Sequence, residues 1–135
     1  MKARCLCGVT QFEVQLRNHE VAACHCSMCR RQTAGPLMSI DVENINFIDQ
    51  QHLSVFSSSE WGERGFCNMC GTFIFWRSKN HSFANINVFT LEHPPEDLNF
   101  NLEIYVDHQP SFYSFNNQTK KMTEAEVIAL FNSNQ

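Results

Sequence analysis

A mainly β, single-domain fold with one short helix at its C-terminal end is what the sequence predicts, on three observations. Short runs in which apolar and polar residues alternate recur along the chain, and such alternation builds strands with one wet face. Clusters of Gly, Pro, Asn and Ser separate these runs. One stretch alone carries a helix start signal, Thr123 with Glu126 three residues on, ahead of Val127, Ile128, Leu130 and Phe131 at helical spacing. A length of 135 residues, 43% hydrophobic with twelve Phe, fits one domain spanning 1–135. A chain of that size buries roughly two-thirds of its unfolded surface and needs no covalent staples.

The elements follow in order. Cys5-Leu6-Cys7-Gly8 opens the chain, and residues 10–16 alternate as a strand. Arg17-Asn18-His19-Glu20 reads as a turn, and Val21-Ala22-Ala23 as a strand leading into Cys24. Residues 30–36 read as a short helical turn stopped by Gly35 and Pro36. Residues 37–42 and 45–48 are expected as two short strands around an Asn/Glu turn, and 53–56 as another. The aromatic run Phe73-Ile74-Phe75-Trp76 is assigned to the core, residues 83–89 to the next strand and 100–106 to the last. The helix is expected over 123–133. The chain contains no internal repeat, low-complexity tract or long linker.

Composition narrows the class. The segment Met1 to Gly8 turns polar before any apolar run develops, which reads against a secretion signal. No stretch approaches the roughly 18 apolar residues of a membrane helix. The expectation is a cytoplasmic protein without a membrane partner. Seven cysteines, an odd number, then argue for metal binding over a disulfide framework. The formal charge is −4, and seven thiolates holding two Zn²⁺ would take it to about −7. A surface so acidic binds a phosphate backbone poorly, so nucleic acid is not an expected partner.

The cysteines fall into three motifs. Cys67-Asn68-Met69-Cys70-Gly71 is a C-x-x-C-G knuckle, whose turn points two sulfurs at one centre while Gly71 permits a positive φ. With Cys5 and Cys7 it makes a closed Cys₄ set. Cys24-His25-Cys26-Ser27-Met28-Cys29 supplies three thiols in six residues and lacks a fourth ligand. Structural zinc sites are closed by four protein ligands, whereas catalytic ones keep a position open. A different sorting, with Cys24 and Cys26 beside the knuckle, would leave Cys5, Cys7 and Cys29 as a less compact trio. In an extended segment Cys24 and Cys26 share a face and His25 looks the other way, which disfavours His25 as a ligand. The other histidines, at 19, 52, 81, 93 and 108, are read as solvated loop residues.

These motifs, with Phe12, Arg30-Arg31, Gly35, Arg64, Phe66 and Thr72 around them, resemble the glutathione-dependent formaldehyde-activating enzyme family over about residues 3–106. The resemblance implies that family's β-tent-like architecture of antiparallel sheets. It implies a structural zinc at Cys5, Cys7, Cys67 and Cys70, and a catalytic zinc at Cys24, Cys26 and Cys29. The family often carries a His-Ile pair where Glu103-Ile104 stands here, a Trp near Phe112-Tyr113, and a small residue in place of Arg4. Those departures fall on the substrate-pocket wall.

The implied activity is that of a zinc-dependent carbon–sulfur lyase. Glutathione or a similar thiol would be co-substrate with formaldehyde or another small carbonyl compound, giving S-hydroxymethyl-type adducts. An open three-thiolate zinc takes sulfur readily and suits that role better than hydrolysis. Arg30 and Arg31 are the candidates for orienting the thiol's carboxylates. The alternative is a non-catalytic zinc module for protein–protein contact, since the resemblance extends to centromere protein V-like zinc domains.

Overall fold

The computed structural model describes residues 1–133 and contains nine strands, two helices and two 3₁₀ turns there. The fold is mainly β, with a short helix ending the described chain. Two compact units are distinguished: Met1–His19 with Ser39–Leu98, and Glu20–Met38 with Asn99 onward.

In the first unit β1 (Lys2–Arg4) pairs antiparallel with β2 (Gln11–Cys24), Ala3 standing opposite Phe12. The strands β4 (Leu53–Ser57), β5 (Gly62–Cys67), β6 (Phe73–Ser78), β7 (Ala84–Asn87) and β3 (Leu37–Asp49) follow one another across antiparallel ladders. Alternation explains the core directly: Phe12 and Val14 are buried while Gln11 and Glu13 face water. Phe12, Ile40, Val42, Ile74, Phe75 and Ile86 are all essentially inaccessible. Each such side chain contributes about 2 kcal/mol of burial. The ring of Phe75 lies flat enough on β5 that a Cβ at Gly65 would stand 2.2 Å from it, so only glycine fits. The expected assignment of the aromatic run to the core agrees with this burial, Trp76 being half-buried.

Two turns expected from the sequence are strand instead. β2 runs unbroken through Arg17 to Glu20, because those polar side chains find partners along the strand. Arg17 pairs with Glu43 at 3.3 Å, His19 with Asp97 at 2.8 Å, and Glu20 accepts from Asn101 at 3.0 Å. β3 likewise continues through Glu43 and Asn44, whose side chains are exposed and meet Arg17 and Gln15. Polar residues therefore marked a wet edge of long strands, not a chain reversal.

In the second unit the last residues of β2 pair with β8 (Asn99–Ile104), and β8 with β9 (Lys120–Met122). Both ladders are parallel, where antiparallel sheets were expected. Cys24 stands opposite Ile104, and Ile104 opposite Met122. Helix α1 (Ser27–Thr33) begins inside the Cys24 motif, earlier than expected, because Cys26 caps it: its sulfur accepts the Cys29 amide at 3.4 Å. α1 ends at Ala34, in the left-handed region at φ 62°, one residue before Gly35. Helix α2 (Glu124–Ser133) starts at the capping box as expected, Thr123 N donating to Glu126 Oε1 at 3.1 Å and Glu126 N to Thr123 Oγ1 at 3.3 Å. Its apolar residues are nevertheless not buried. No helix among the described residues is long and apolar enough to cross a membrane.

Candidate functional site

Seven free cysteines sort into two groups whose sulfurs lie within 4.8 Å of one another: Cys5, Cys7, Cys67 and Cys70 in the first unit, and Cys24, Cys26 and Cys29 in the second. Of the two sortings the sequence left open, only this one brings sulfurs together.

The four-sulfur group is built by two turns. At the knuckle, Gly71 sits at φ +81°, closing a turn in which its amide donates to the Cys67 carbonyl at 2.8 Å. Cys5 and Cys7 enter from the segment after β1, where the Leu6 amide donates to Thr72 Oγ1 at 3.0 Å. Thr72 is thereby turned towards Cys70, 3.2 Å from its sulfur. The Thr10 amide donates to Cys5 Sγ at 3.4 Å.

Zinc–thiolate bonds of about 2.3 Å in a tetrahedron set sulfurs about 3.8 Å apart. Here Cys5 Sγ and Cys7 Sγ are 3.6 Å apart, and Cys7 Sγ and Cys67 Sγ 3.9 Å. Burial pushes Cys70 up, but hydrogen bonds from Thr72 and the backbone outweigh it and bring the thiol down to about 5. Burial likewise raises the Cys67 thiol, but hydrogen bonds from Thr10 and the Cys70 and Met69 amides outweigh it and bring it below its usual value. Cys7 goes the other way: the Val9 amide lowers it, yet desolvation and three neighbouring thiols push it up to about 11. Four thiolates so close ionise together only around a cation, and the spacing fits zinc.

The three-sulfur group is wholly buried. β2 delivers Cys24, and the capped start of α1 holds Cys26 and Cys29. Hydrogen bonding with Cys26 and Cys29, then burial, pushes the Cys24 thiol far up, again a set that a cation would relieve. No fourth His, Cys, Asp or Glu joins these three among the described residues.

His25, between two of them, is fully buried and committed elsewhere. Its Nε2 is 2.9 Å from Glu103 Oε1 and its Nδ1 2.7 Å from the Tyr113 hydroxyl. An ionised carboxylate only accepts, so Nε2 carries the proton and, in the neutral ring, Nδ1 accepts from Tyr113. Thr119 Oγ1 donates to Glu103 Oε2, with Lys121 Nζ 3.6 Å away. Burial raises the Glu103 carboxyl, but the hydrogen bonds from Thr119 and His25 and the Lys121 charge hold it below its usual value.

The expected carboxylate-orienting arginines lie in the last turn of α1. Arg30 is half-buried and its Nε donates to the His25 carbonyl at 2.9 Å, whereas Arg31 is exposed. Of the scattered histidines, His19 pairs with Asp97, His81 with Glu63 and His108 with Glu124.

Sequence reasoning noted Glu103 and Tyr113 only as departures from a pattern. Both meet the His25 ring. Glu103 escaped notice because the apolar phase of its strand is Phe100, Leu102 and Ile104, whereas Glu103, the one buried residue, shares the polar phase with exposed Asn99 and half-buried Asn101. Tyr105 was missed altogether. Its half-buried phenol lies close enough to the trio for Cys24, Cys26 and Cys29 to act on it, and desolvation first, then those sulfurs and Glu124, push it up to about 12.

Among known proteins, the chain is similar to an uncharacterized lyase of Schizosaccharomyces pombe, 28% identical over 131 residues that cover 94% of this chain and 93% of the relative. A crystal structure of a Rhodobacter sphaeroides structural-genomics target superimposes with a TM-score of 0.61 at 25% identity, covering 76% of this chain and 99% of that one. Residues 1–108, which hold all seven cysteines, match the family model described as glutathione-dependent formaldehyde-activating enzyme, and the chain belongs to that family.

Proposed function

We propose that the chain is a zinc-dependent carbon–sulfur lyase that forms and cleaves adducts between a low-molecular-weight thiol, such as glutathione, and formaldehyde or a similar small carbonyl compound. Family membership and the lyase-named relative support the class of reaction. The observation that carries the reading is the buried Cys24–Cys26–Cys29 trio beside a histidine whose two ring nitrogens are both occupied. The set is thus three thiolates with no fourth side chain at hand among the described residues.

Zinc bound by three thiolates carries a formal charge of −1 and supplies a soft place for an incoming thiolate more readily than a strongly acidic water. The chain's own residues do the rest. Cys24, Cys26 and Cys29 would hold the ion, and their burial would limit the access of water there. Arg30, pinned by the His25 carbonyl, presents its remaining guanidinium N–H groups to a carboxylate of the peptide thiol, and Arg31 adds charge from outside. Cys5, Cys7, Cys67 and Cys70 serve the fold.

The test is metal content together with turnover. Two metal ions per chain are expected, with glutathione and formaldehyde interconverting with their adduct faster than in buffer, followed by exchange NMR. Cys26→Ser should abolish the acceleration. A fully loaded protein that accelerates the reaction of no small aldehyde with glutathione would overturn the reading.

A second reading has one observation in its favour. Leu6 and Met69, the middle residues of the C-x-C and C-x-x-C motifs, are exposed apolar side chains at 80% and 63%. They would suit a zinc module that docks a protein, which predicts normal metal loading with no turnover.

A further inference from the structure

Two tyrosines stand near the Cys24–Cys26–Cys29 trio, and they differ in one respect. The Tyr113 hydroxyl is taken by His25 Nδ1 at 2.7 Å. The Tyr105 hydroxyl has no hydrogen-bond partner among the described residues; the recorded contact of its side chain is with the His108 ring, at 5.6 Å between centroids. A half-buried phenol with its polar end unused, next to a reactive centre, is available to a ligand.

The backbone brings Tyr105 there at a cost. Cys24 and Ile104 are partners in the parallel ladder, and the His25 amide donates to the Ile104 carbonyl at 3.1 Å. The next residue, Tyr105, leaves the strand in the left-handed region at φ 56°, ψ 40°. For a bulky aromatic side chain that conformation is strained, and Gly or Asn would close the same bend more cheaply. Strain retained at a site beside buried sulfurs points to a use for the side chain.

We propose that Tyr105 is a catalytic residue of the reaction put forward above, and the inference rests on that reading: its neutral phenol donates a hydrogen bond to the oxygen on the carbon that gains or loses sulfur. In the forward direction the thiolate lone pair forms the carbon–sulfur bond, the carbonyl π pair moves onto oxygen, and Tyr105 O–H stabilises the resulting alkoxide. Solvent water then supplies the proton and leaves hydroxide. In the lyase direction hydroxide removes that proton, the alkoxide re-forms the carbonyl, and the thiolate departs. The phenol keeps its own proton throughout. An ordinary tyrosine is protonated at neutral pH, and this role asks only for that proton.

Tyr105→Phe keeps the ring against His108 and removes only the donor. The comparison uses full-length protein loaded with zinc for kinetics and with cobalt(II) for spectroscopy, with glutathione and formaldehyde as the probes. For Tyr105→Phe, unchanged melting temperature, metal content and glutathione-induced cobalt spectrum are expected. The turnover number should fall about 100-fold, the usual loss of one oxyanion donor, with KM for glutathione unmoved. Wild-type turnover in Tyr105→Phe would overturn the assignment while leaving the lyase reading intact. A fall accompanied by lost metal or an altered spectrum would also overturn it, making Tyr105 structural. Wild-type protein with neither a glutathione-dependent spectrum nor turnover would instead sink the lyase reading, and the assignment with it.

Discussion

His25 Nε2 lies 2.9 Å from Glu103 Oε1, both side chains buried to within 2% of complete enclosure. The contact settles what a histidine flanked by Cys24 and Cys26 is doing: it ties the segment just after β2 to β8 and orients Tyr113, leaving the thiols as a trio. Breaking such a buried pair from one side leaves the other polar group stranded, at a cost of about 3 kcal/mol. Glu103→Ala is therefore expected to lose about that much stability in urea denaturation. Glu103→Gln, which keeps an acceptor for Nε2, should lose less than half. Equal losses from the two would show that the hydrogen bond contributes little.

The two cysteine groups should respond differently to the same chemical change. Cys70→Ser removes one ligand of a set joining the segment after β1 to the β5–β6 turn, and a closed metal site contributes folding energy outright. It is expected to unfold or to lose all cooperative melting. Cys26→Ser should remain folded with one metal ion fewer per chain. Circular dichroism with metal analysis distinguishes the outcomes, and equal collapse of both variants would make the trio structural too.

Packing makes a sharper forecast at Gly65. A methyl group there would overlap the fully buried Phe75 ring. Gly65→Ala should destabilise the protein by about 3 kcal/mol, at the upper end for overpacking. Gly35→Ala, where nothing lies within 4 Å of the added carbon, is the control and should change stability little. Chemical denaturation of the pair reads the difference.

Glu63 sets a pH dependence. Burial raises its carboxyl, but the Arg77 guanidinium at 2.7 Å and His81 at 3.1 Å outweigh that and lower it below 4.5. A carboxylate more acidic in the folded state stabilises fully above 4.5, and the contribution is lost as pH falls through the lowered folded value. Glu63→Gln should thus be less stable than wild type by about 1 kcal/mol at neutral pH, with the gap closing in acid. Denaturation of both proteins across that range is the check, because metal loss affects both alike. A gap that persists in acid would rule out the ion pair as its source.

Much of this was legible in the chain itself. Alternation at Phe12 and Val14 fixed which face of β2 is buried, and Thr123 with Glu126 fixed where α2 begins, because both are local consequences of backbone period and hydrogen-bond need. The cysteine spacings likewise marked out three motifs, since C-x-C and C-x-x-C turns converge their own sulfurs, but which motifs share a centre stayed open. Tertiary structure alone decided the rest. Arg17 to Glu20 read as a turn until Glu43, Asp97 and Asn101 were seen to stand beside them. Glu103 reached His25 across 78 residues of sequence, and Tyr105 came to the trio through a parallel ladder and a left-handed bend. A residue's sequence neighbours determine its local geometry. Its partner for a buried charge, or its place beside a distant thiol, depends on which strands pair, and that is settled only when the whole chain has folded.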